Sequence, residues 1–225
     1  MIRKFNLIST SLLLLFGTIA VGHAEMASPQ MLTNTCIACH GTGGVSEGPA
    51  IPSLAGITTN YFIGAMLAYK YADDELGLES TLQTLYQDEA YQDLEVYARY
   101  STIMSRIAAG YSVEEIISMA PVFADTEVVP VEQNYDQSKV AIGEELHEEY
   151  CSNCHEDGGL STADDVGLLA GQWSLYLQYT LEDYMAEPER REMPKKMRSK
   201  LKDMHEAHGK ESIHNLLQFY SSAGN

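Results

Sequence analysis

Apolar positions along the chain recur with the spacing of helices, and residues that begin helices precede several of these runs. The sequence predicts three helix starts in the first half: Ser28 with Pro29, Asn60 before a helix over residues 61–72, and the capping box of Ser112 and Glu115. In the second half the pattern predicts helices near residues 138–153, 173–187, 197–208 and 211–221, with Gly209 ending one of them. No stretch combines alternating polarity with hairpin turns, so the sequence predicts an all-α protein.

The first 24 residues have the layout of a secretory signal peptide. Arg3 and Lys4 precede an apolar stretch, and Gly22 and Ala24 stand at positions −3 and −1 of a cleavage site before Glu25. The uninterrupted apolar core is about ten residues long, whereas a membrane-spanning helix needs about 20. We therefore expect an exported, soluble mature protein, with an uncleaved membrane anchor as the alternative.

Charge and composition exclude several classes of function. The chain has 225 residues, of which 32 are acidic and 14 are basic, and its formal net charge is −18. Because this charge repels a phosphate backbone, we expect no nucleic-acid partner. With 45% hydrophobic residues the chain can bury a core, and its four cysteines are too few for a disulfide scaffold of this length.

The cysteines fall into two identical patterns. The first C-x-x-C-H motif consists of Cys36, Cys39 and His40, and the second of Cys151, Cys154 and His155. Two thiols on one helical turn can each add to a vinyl group of haem, and the adjoining histidine offers a nitrogen to iron. A four-cysteine zinc site, a thioredoxin-like motif and a short disulfide loop are the weaker alternatives. The sequence therefore predicts two covalently bound haem c groups.

The two motifs belong to an internal repeat with an offset of 115 residues. Further features coincide at this offset: Leu54-Ala55-Gly56 with Leu169-Ala170-Gly171, Tyr61 with Tyr176, and Tyr69 with Tyr184. Such a register predicts two copies of one haem-binding fold. Pro130 and the absence of helical periodicity mark residues 125–136 as a linker. We thus expect a first haem domain over residues 25–124 and a second over residues 137–225.

Each iron requires a second axial ligand, and methionine is favoured in an electron carrier because its thioether raises the reduction potential. In the first half we predict Met104, with Met66 as the alternative inside a predicted helix. In the second half we predict Met193, directly before Pro194, over Met197. Three histidines are further alternatives: His205, His208 and His214. We assign no catalytic residue to this chain.

Strings around these residues carry a family resemblance. They are Met31-Leu32-Thr33-Asn34, Gly48-Pro49-Ala50, Pro52-Ser53, Ser101-Thr102-Ile103-Met104 and Arg106-Ile107-Ala108 in the first half, and Leu169-Ala170-Gly171-Gln172-Trp173, Tyr176-Leu177-Gln178-Tyr179, Lys195-Lys196-Met197 and Ser199-Lys200-Leu201 in the second. In these strings the chain resembles the two-haem cytochrome subunit of flavocytochrome c sulfide dehydrogenase.

This resemblance implies two tandem class I cytochrome c domains in the periplasm. It also implies a partner subunit whose FAD and redox disulfide oxidise sulfide, forming a heterodimer with this chain. Electrons would pass from the flavin to the haems and on to a soluble acceptor such as a small cytochrome c. The chain has no flavin-binding motif of its own, so catalysis on sulfide would lie in the partner. A free-standing two-haem carrier that feeds a terminal oxidase or reductase is the alternative.

Two features depart from the resemblance. His40 and Met104 are 64 residues apart, whereas His155 and Met193 are 38 apart, and the surplus of 26 residues lies between Lys70 and Ser101. Residues 71–98 in this region contain eight acidic side chains and no basic one. We interpret this insertion as an added amphipathic helix, with a surface that steers partners as the alternative. Pro52, which in class I domains commonly supports the haem histidine through its carbonyl group, has Gly167 as its repeat counterpart.

Basic residues are concentrated in one short stretch of this acidic chain. Seven of the thirteen residues from position 190 to position 202 are Lys or Arg, and they flank the predicted ligand Met193. The stretch predicts either a solvated helix face balanced by neighbouring glutamates or a docking patch, where opposite charge accelerates encounter.

Overall fold

The computed structural model describes residues 26–186 and 191–224, so the predicted signal peptide lies outside the described residues. Ten α-helices lie in these two ranges: α1 (Pro29–Thr33), α2 (Ile37–His40), α3 (Thr59–Lys70), α4 (Glu75–Leu85), α5 (Met104–Ala109), α6 (Val113–Ala124), α7 (Gln137–Tyr150), α8 (Ser174–Met185), α9 (Lys195–His208) and α10 (Glu211–Ser221). Extended pairing within the described ranges is confined to an isolated bridge between Arg99 and Arg191. None of the described helices is both long and apolar enough to cross a membrane.

The helix starts largely follow the predicted signals. Ser28 accepts a hydrogen bond from the Met31 amide at the start of α1, and Ser112 and Glu115 form the expected capping box of α6. The prediction for α3 was wrong. Thr58 caps this helix and its first residue is Thr59; Asn60 lies inside the first turn, and its side chain donates a hydrogen bond to Asp165 from the second half of the chain.

Each half of the chain has a hydrophobic core of its own. Helices α1, α3, α5 and α6 surround the first, where Phe62, Leu67, Ile116 and Phe123 are buried. The second is formed by α7, α8, α9 and α10. At the crossing of α7 and α10 a Cβ atom on Gly143 would lie 2.2 Å from the Asn215 carbonyl oxygen, so glycine permits this close approach.

The acidic insertion forms the amphipathic helix that the sequence predicts. Asp74 caps α4 by accepting a hydrogen bond from the Gly77 amide. Along α4, Leu78 and Leu82 pack against the first core, and Leu85 at its end is buried there. The insertion therefore extends the first core, while its acidic side chains face solvent.

Buried hydrogen bonds join the two halves. The Gln172 side chain accepts from the Ser53 amide (2.9 Å) and donates to the Ser53 carbonyl (2.8 Å), and Gln172 is only 3% exposed. The indole N–H of Trp173 donates to the Ser46 carbonyl. Between the halves, the segment at residues 125–136 runs without helix, and its Val131 amide bonds to the Gly171 carbonyl.

We expect Gln172→Leu to lower the free energy of unfolding by about 2–4 kcal/mol, because it leaves a buried amide and a buried carbonyl of Ser53 without partners. Denaturant unfolding of the haem-loaded protein measures this loss. Gln178→Leu is the matched control, since Gln178 is exposed and its side chain donates a hydrogen bond to Glu182 on the same helix. Equal unfolding free energies for the two variants would show that the buried pair contributes nothing.

Candidate functional site

The first C-x-x-C-H motif lies at the short helix α2. Cys36 is the N-cap residue of this helix. The His40 amide donates a hydrogen bond to the Cys36 carbonyl at 2.8 Å, which places both cysteines and the histidine on one turn. The Nδ1 atom of His40 lies 2.8 Å from the Pro52 carbonyl oxygen. Because that oxygen can only accept, Nδ1 carries the proton and Nε2 keeps its lone pair for a metal.

The second motif repeats this turn at the end of α7. Its His155 amide donates a hydrogen bond to the Cys151 carbonyl at 3.0 Å, and none of the four cysteines of the two motifs forms a disulfide. The two sites differ in how the histidine ring is held, since the buried Nδ1 atom of His155 has no hydrogen-bond partner in the described part of the chain. Gly167 stands where the first half has Pro52, and a Cβ atom there would lie 3.1 Å from the Tyr61 hydroxyl. A side chain at position 167 would therefore require a small shift of the Tyr61 ring.

Burial keeps both imidazoles in the form that binds metal. It lowers the pKa of His40, an effect that the Pro52 carbonyl partly opposes. Burial, together with repulsion from His147, lowers the pKa of His155 to about 4. The nearby Gly167 backbone raises this pKa, but by less than burial lowers it. Both rings are therefore neutral at neutral pH, as coordination requires. Burial also raises the pKa values of Cys36 and Cys151.

The loops that follow the two motifs confirm the repeat in detail. The Gly44 carbonyl accepts hydrogen bonds from the amides of Leu54 and Ala55, and the Gly159 carbonyl accepts from those of Leu169 and Ala170. Gly44 and Gly159 have φ values of 80° and 90°. The corresponding residues are all 115 positions apart, so the two loops have the same backbone hydrogen bonds and conformation.

The four candidate methionines lie in the cores of their respective halves. Met104 begins α5, with its amide bonded to Ser101, and packs at the edge of the same core as Cys36. Met66 is buried within α3. Met193 is 5% exposed and lies in the core that also contacts Cys151 and Met197. The structure thus brings each predicted ligand to the core beside its motif, and Met104 and Met193 remain predictions.

The donor set and the local geometry fit haem c at both motifs. Each provides two thiols three positions apart and a neutral histidine, and the Pro52 carbonyl sets the ring orientation at the first motif. Sequence reasoning missed one feature near these sites, a pair of arginines, Arg99 and Arg191, that lies among tyrosines of both halves. The repeat offset marked the tyrosines, but no local pattern marked the arginines as neighbours.

Comparisons with known proteins agree with this geometry. No family model matches the chain. Over 183 residues the chain is 26% identical to cytochrome c4 of Pseudomonas aeruginosa, covering 80% of this chain and 81% of that protein. The crystal structure of reduced recombinant cytochrome c4 from Pseudomonas stutzeri superposes with a TM-score of 0.63 at 22% identity, covering 86% of this chain and 95% of that one. The fold is that of two tandem class I cytochrome c domains.

Two more solved structures share this fold. Cytochrome c4 of Acidithiobacillus ferrooxidans has a TM-score of 0.59 at 20% identity, with 84% of this chain and 99% of that chain covered. Thiosulfate dehydrogenase from Marichromatium purpuratum has a TM-score of 0.55 at 18% identity, with 83% of this chain and 36% of that chain covered. The protein is thus a two-haem cytochrome c, and Cys36, Cys39, Cys151 and Cys154 remain the predicted attachment sites.

Proposed function

We propose that this two-haem cytochrome is a periplasmic electron-transfer protein that receives electrons from one redox partner and delivers them to another. The observation that carries the proposal is the duplicated site, in which a buried neutral histidine adjoins two cysteines on one turn. Haem iron supplies reversible one-electron transfer at such a site. Nothing else in the described residues forms a metal-binding group of histidines, cysteines and carboxylates.

The chain's own residues hold the haem and control access to it. His40 and His155 would each offer a ring nitrogen to haem iron, and the Pro52 carbonyl fixes the tautomer and orientation of His40. Met104 and Met193 would hold the iron of each bound haem through their thioether sulfurs and would keep small ligands out. Apolar side chains pack against both methionines, and such surroundings would favour the less charged ferrous state of a bound haem.

For the electron donor we propose the FAD-containing subunit of a sulfide dehydrogenase, bound to this chain as a heterodimer. The strings that resemble the cytochrome subunit of flavocytochrome c sulfide dehydrogenase support it, because they extend over both halves. The alternative is a carrier without a flavoprotein subunit. The similarity to cytochrome c4 over most of both chains supports this alternative.

Isolation of the native protein under mild conditions distinguishes the flavoprotein heterodimer from the free carrier. A heterodimer predicts co-purification of a second chain with flavin absorbance, and reduction of both haems when sulfide is added. A free carrier predicts a two-haem protein without flavin, which sulfide reduces no faster than it reduces an unrelated cytochrome c. If the isolated protein shows no haem absorbance at all, the result would contradict electron transfer by this chain, whichever donor it has.

We propose that electrons leave through the basic face of α9 to an acceptor with an acidic surface. Five cationic side chains of this helix are exposed: Lys195, Lys196, Arg198, Lys200 and Lys202. They follow Met193 directly, in a protein whose net charge is otherwise strongly negative. Opposite charge on the acceptor would raise the encounter rate without requiring a large interface.

We expect the double variant Lys196→Gln with Lys200→Gln to slow oxidation of the reduced protein by ferricyanide, an anionic probe, about threefold at low ionic strength. Stopped-flow absorbance measures the rate constant, and the difference should vanish in high salt. The control is Lys139→Gln with Lys210→Gln, which removes the same charge elsewhere in the second half. Equal slowing in both double variants would indicate net charge rather than a local patch.

A further inference from the structure

One histidine is completely buried in the core of the second half. His147 lies on α7 and is 0% exposed, and its ring centre lies 5.4 Å from that of Phe219 and 5.6 Å from that of Tyr220. Polar side chains in such apolar surroundings are held by hydrogen bonds, because an N–H or hydroxyl group that leaves water unpaired costs free energy. The partners of His147 therefore indicate what the ring does there.

The hydroxyl group of Tyr220 lies at hydrogen-bond distance from His147. The Nδ1 atom of His147 is 3.0 Å from this hydroxyl oxygen, and Tyr220 is only 3% exposed. Burial lowers the pKa of His147, an effect that Glu148 and Glu144 partly oppose, so the ring is neutral and carries one proton at neutral pH. Two proton arrangements fit the distance: Nδ1 donates to the Tyr220 oxygen, or the Tyr220 hydroxyl donates to Nδ1.

The same hydroxyl group contacts the sulfur atom of Cys151. Cys151 follows His147 by four positions, and its amide donates a hydrogen bond to the His147 carbonyl at 2.8 Å, so both side chains lie on one face of α7. Tyr220 packs in the core that also contacts Cys151. Its hydrogen bond to the thiol partly offsets the burial that raises the pKa of Cys151. The hydroxyl group thus links the buried histidine to a predicted haem attachment site.

Haem attachment would decide which of these groups donates. A thiol can donate or accept a hydrogen bond, but a thioether sulfur has no proton and can only accept. The Tyr220 hydroxyl then donates to Cys151, and Nδ1 of His147 donates to the hydroxyl oxygen. The other tautomer would place the proton on Nε2 of His147, and this buried atom has no hydrogen-bond partner in the described part of the chain. His147 therefore turns the hydroxyl proton of Tyr220 toward the sulfur.

The first half has apolar residues at both corresponding positions. Leu32 stands at the repeat offset of 115 from His147. Phe123 corresponds to Tyr220, because the backbone carbonyl of each accepts a hydrogen bond from the glycine amide of the Leu-Ala-Gly string in its own half. Leu32 and Phe123 are both buried in the first core. The hydrogen-bonded pair is therefore a feature of the second site that its repeat counterpart lacks.

A different hydroxyl group lies near the first-motif sulfur, but its proton is used elsewhere. The Oγ1 atom of Thr35 is 3.9 Å from Sγ of Cys36 and donates a hydrogen bond to the Leu32 carbonyl at 2.9 Å. Because a hydroxyl group has a single proton, Thr35 has none left for a thioether at Cys36. The two haem sites thus differ in the hydrogen bonding of their first cysteine.

We propose that the Tyr220 hydroxyl, oriented by His147, donates a hydrogen bond to the Cys151 sulfur of the attached haem and thereby raises the reduction potential of the second haem alone. The inference rests on haem attachment at Cys151, not on the identity of the electron donor. Hydrogen bonds around a haem tune its potential, and a donor at the sulfur withdraws electron density from the porphyrin, which favours ferrous iron. Tyr220 touches the attached group, whereas His147 is a positioning residue.

The first test is Tyr220→Phe, which removes only the hydroxyl group. A redox titration followed by NMR measures the two haems separately through their methyl resonances. At a fixed applied potential the ferrous-to-ferric ratio of the second haem should fall about threefold, equivalent to ~28 mV for a one-electron couple, and that of the first should not change. Tyr150→Phe is the matched control, because the Tyr150 hydroxyl lies 3.3 Å from Nε2 of His208.

An unchanged second haem in Tyr220→Phe, or the same decrease in Tyr150→Phe, would overturn the proposal. Mass spectrometry of the wild-type protein separates that result from a failure of the proposed function. In the latter case the denatured wild-type chain carries no haem at Cys151.

His147→Leu tests the positioning role, with the residue that the first half has at the corresponding position. The ratio of the second haem should fall by less than in Tyr220→Phe, because the hydroxyl group remains but its proton is no longer held in one direction. In the double variant with Tyr220→Phe, the decrease should equal that of Tyr220→Phe alone, since the histidine acts through the hydroxyl group. A larger decrease in the double variant would show that His147 acts on the haem independently.

NMR of the reduced wild-type protein tests the same arrangement without any substitution. The nitrogen shifts of His147 should show the proton on Nδ1. The hydroxyl proton of Tyr220 should show a nuclear Overhauser effect to protons on the haem-derived carbon bonded to the Cys151 sulfur. A proton on Nε2 of His147 would contradict the proposal, because Nδ1 would then accept the proton that the sulfur requires.

Discussion

Met104→His and Met193→His are each expected to remove about half of the weak far-red absorption of the ferric protein. This absorption arises from bonding between thioether sulfur and ferric iron, and one of the two haems would lose it in each variant. Histidine can still ligate the iron, so the protein should keep both haems. The potential of the altered haem should fall by on the order of 0.1 V, within the roughly 0.8 V range that axial ligands control. Absorbance spectroscopy with potentiometric titration measures both effects.

Met66→Leu and Met197→Leu are the matched controls for the axial ligands. Both methionines lie in the same two cores as the predicted ligands, and volume-conserving replacement costs only packing energy, usually below about 1.5 kcal/mol. Their far-red absorption should stay nearly intact. Loss of half the absorption in Met197→Leu, with none in Met193→His, would move the second ligand by one helical turn. No change in either histidine variant would show that the irons are ligated otherwise.

Replacing both cysteines of one motif is expected to remove one haem. The double variant Cys36→Ala with Cys39→Ala should retain only the second haem, because no thiol is left in the first half to form a thioether. Mass spectrometry of the denatured protein counts the covalently bound haems, and haem absorbance should fall by about half.

The reciprocal variant, Cys151→Ala with Cys154→Ala, is the internal control for the cysteine prediction. It should lose the second haem and keep the first, since each half has a separate hydrophobic core around its own motif. Two haem masses in either double variant would contradict the assignment of the attachment sites. Loss of both haems in one variant would show instead that maturation of the two halves is coupled.

Local sequence signals predicted much of the helical architecture. The C-x-x-C-H turns, the capping box at Ser112 and the helix over Glu211–Ser221 all appear where the residues indicate them. Each depends on contacts within a few positions of the chain. The repeat offset also predicted that the two halves share one local fold, and the loops at Gly44 and Gly159 have the same hydrogen bonds.

The sequence by itself determined two haem-binding repeats, since spacing along one helical turn is sufficient to place two thiols and a histidine together. Only the tertiary structure decided how the halves meet. Where they meet, Asn60 donates a hydrogen bond to Asp165 of the other half, and the Tyr61 hydroxyl lies close to Gly167. Arg99 and Arg191 are neighbours there as well. These contacts join residues about 90 to 110 positions apart, and no helical period or short motif records such a pairing.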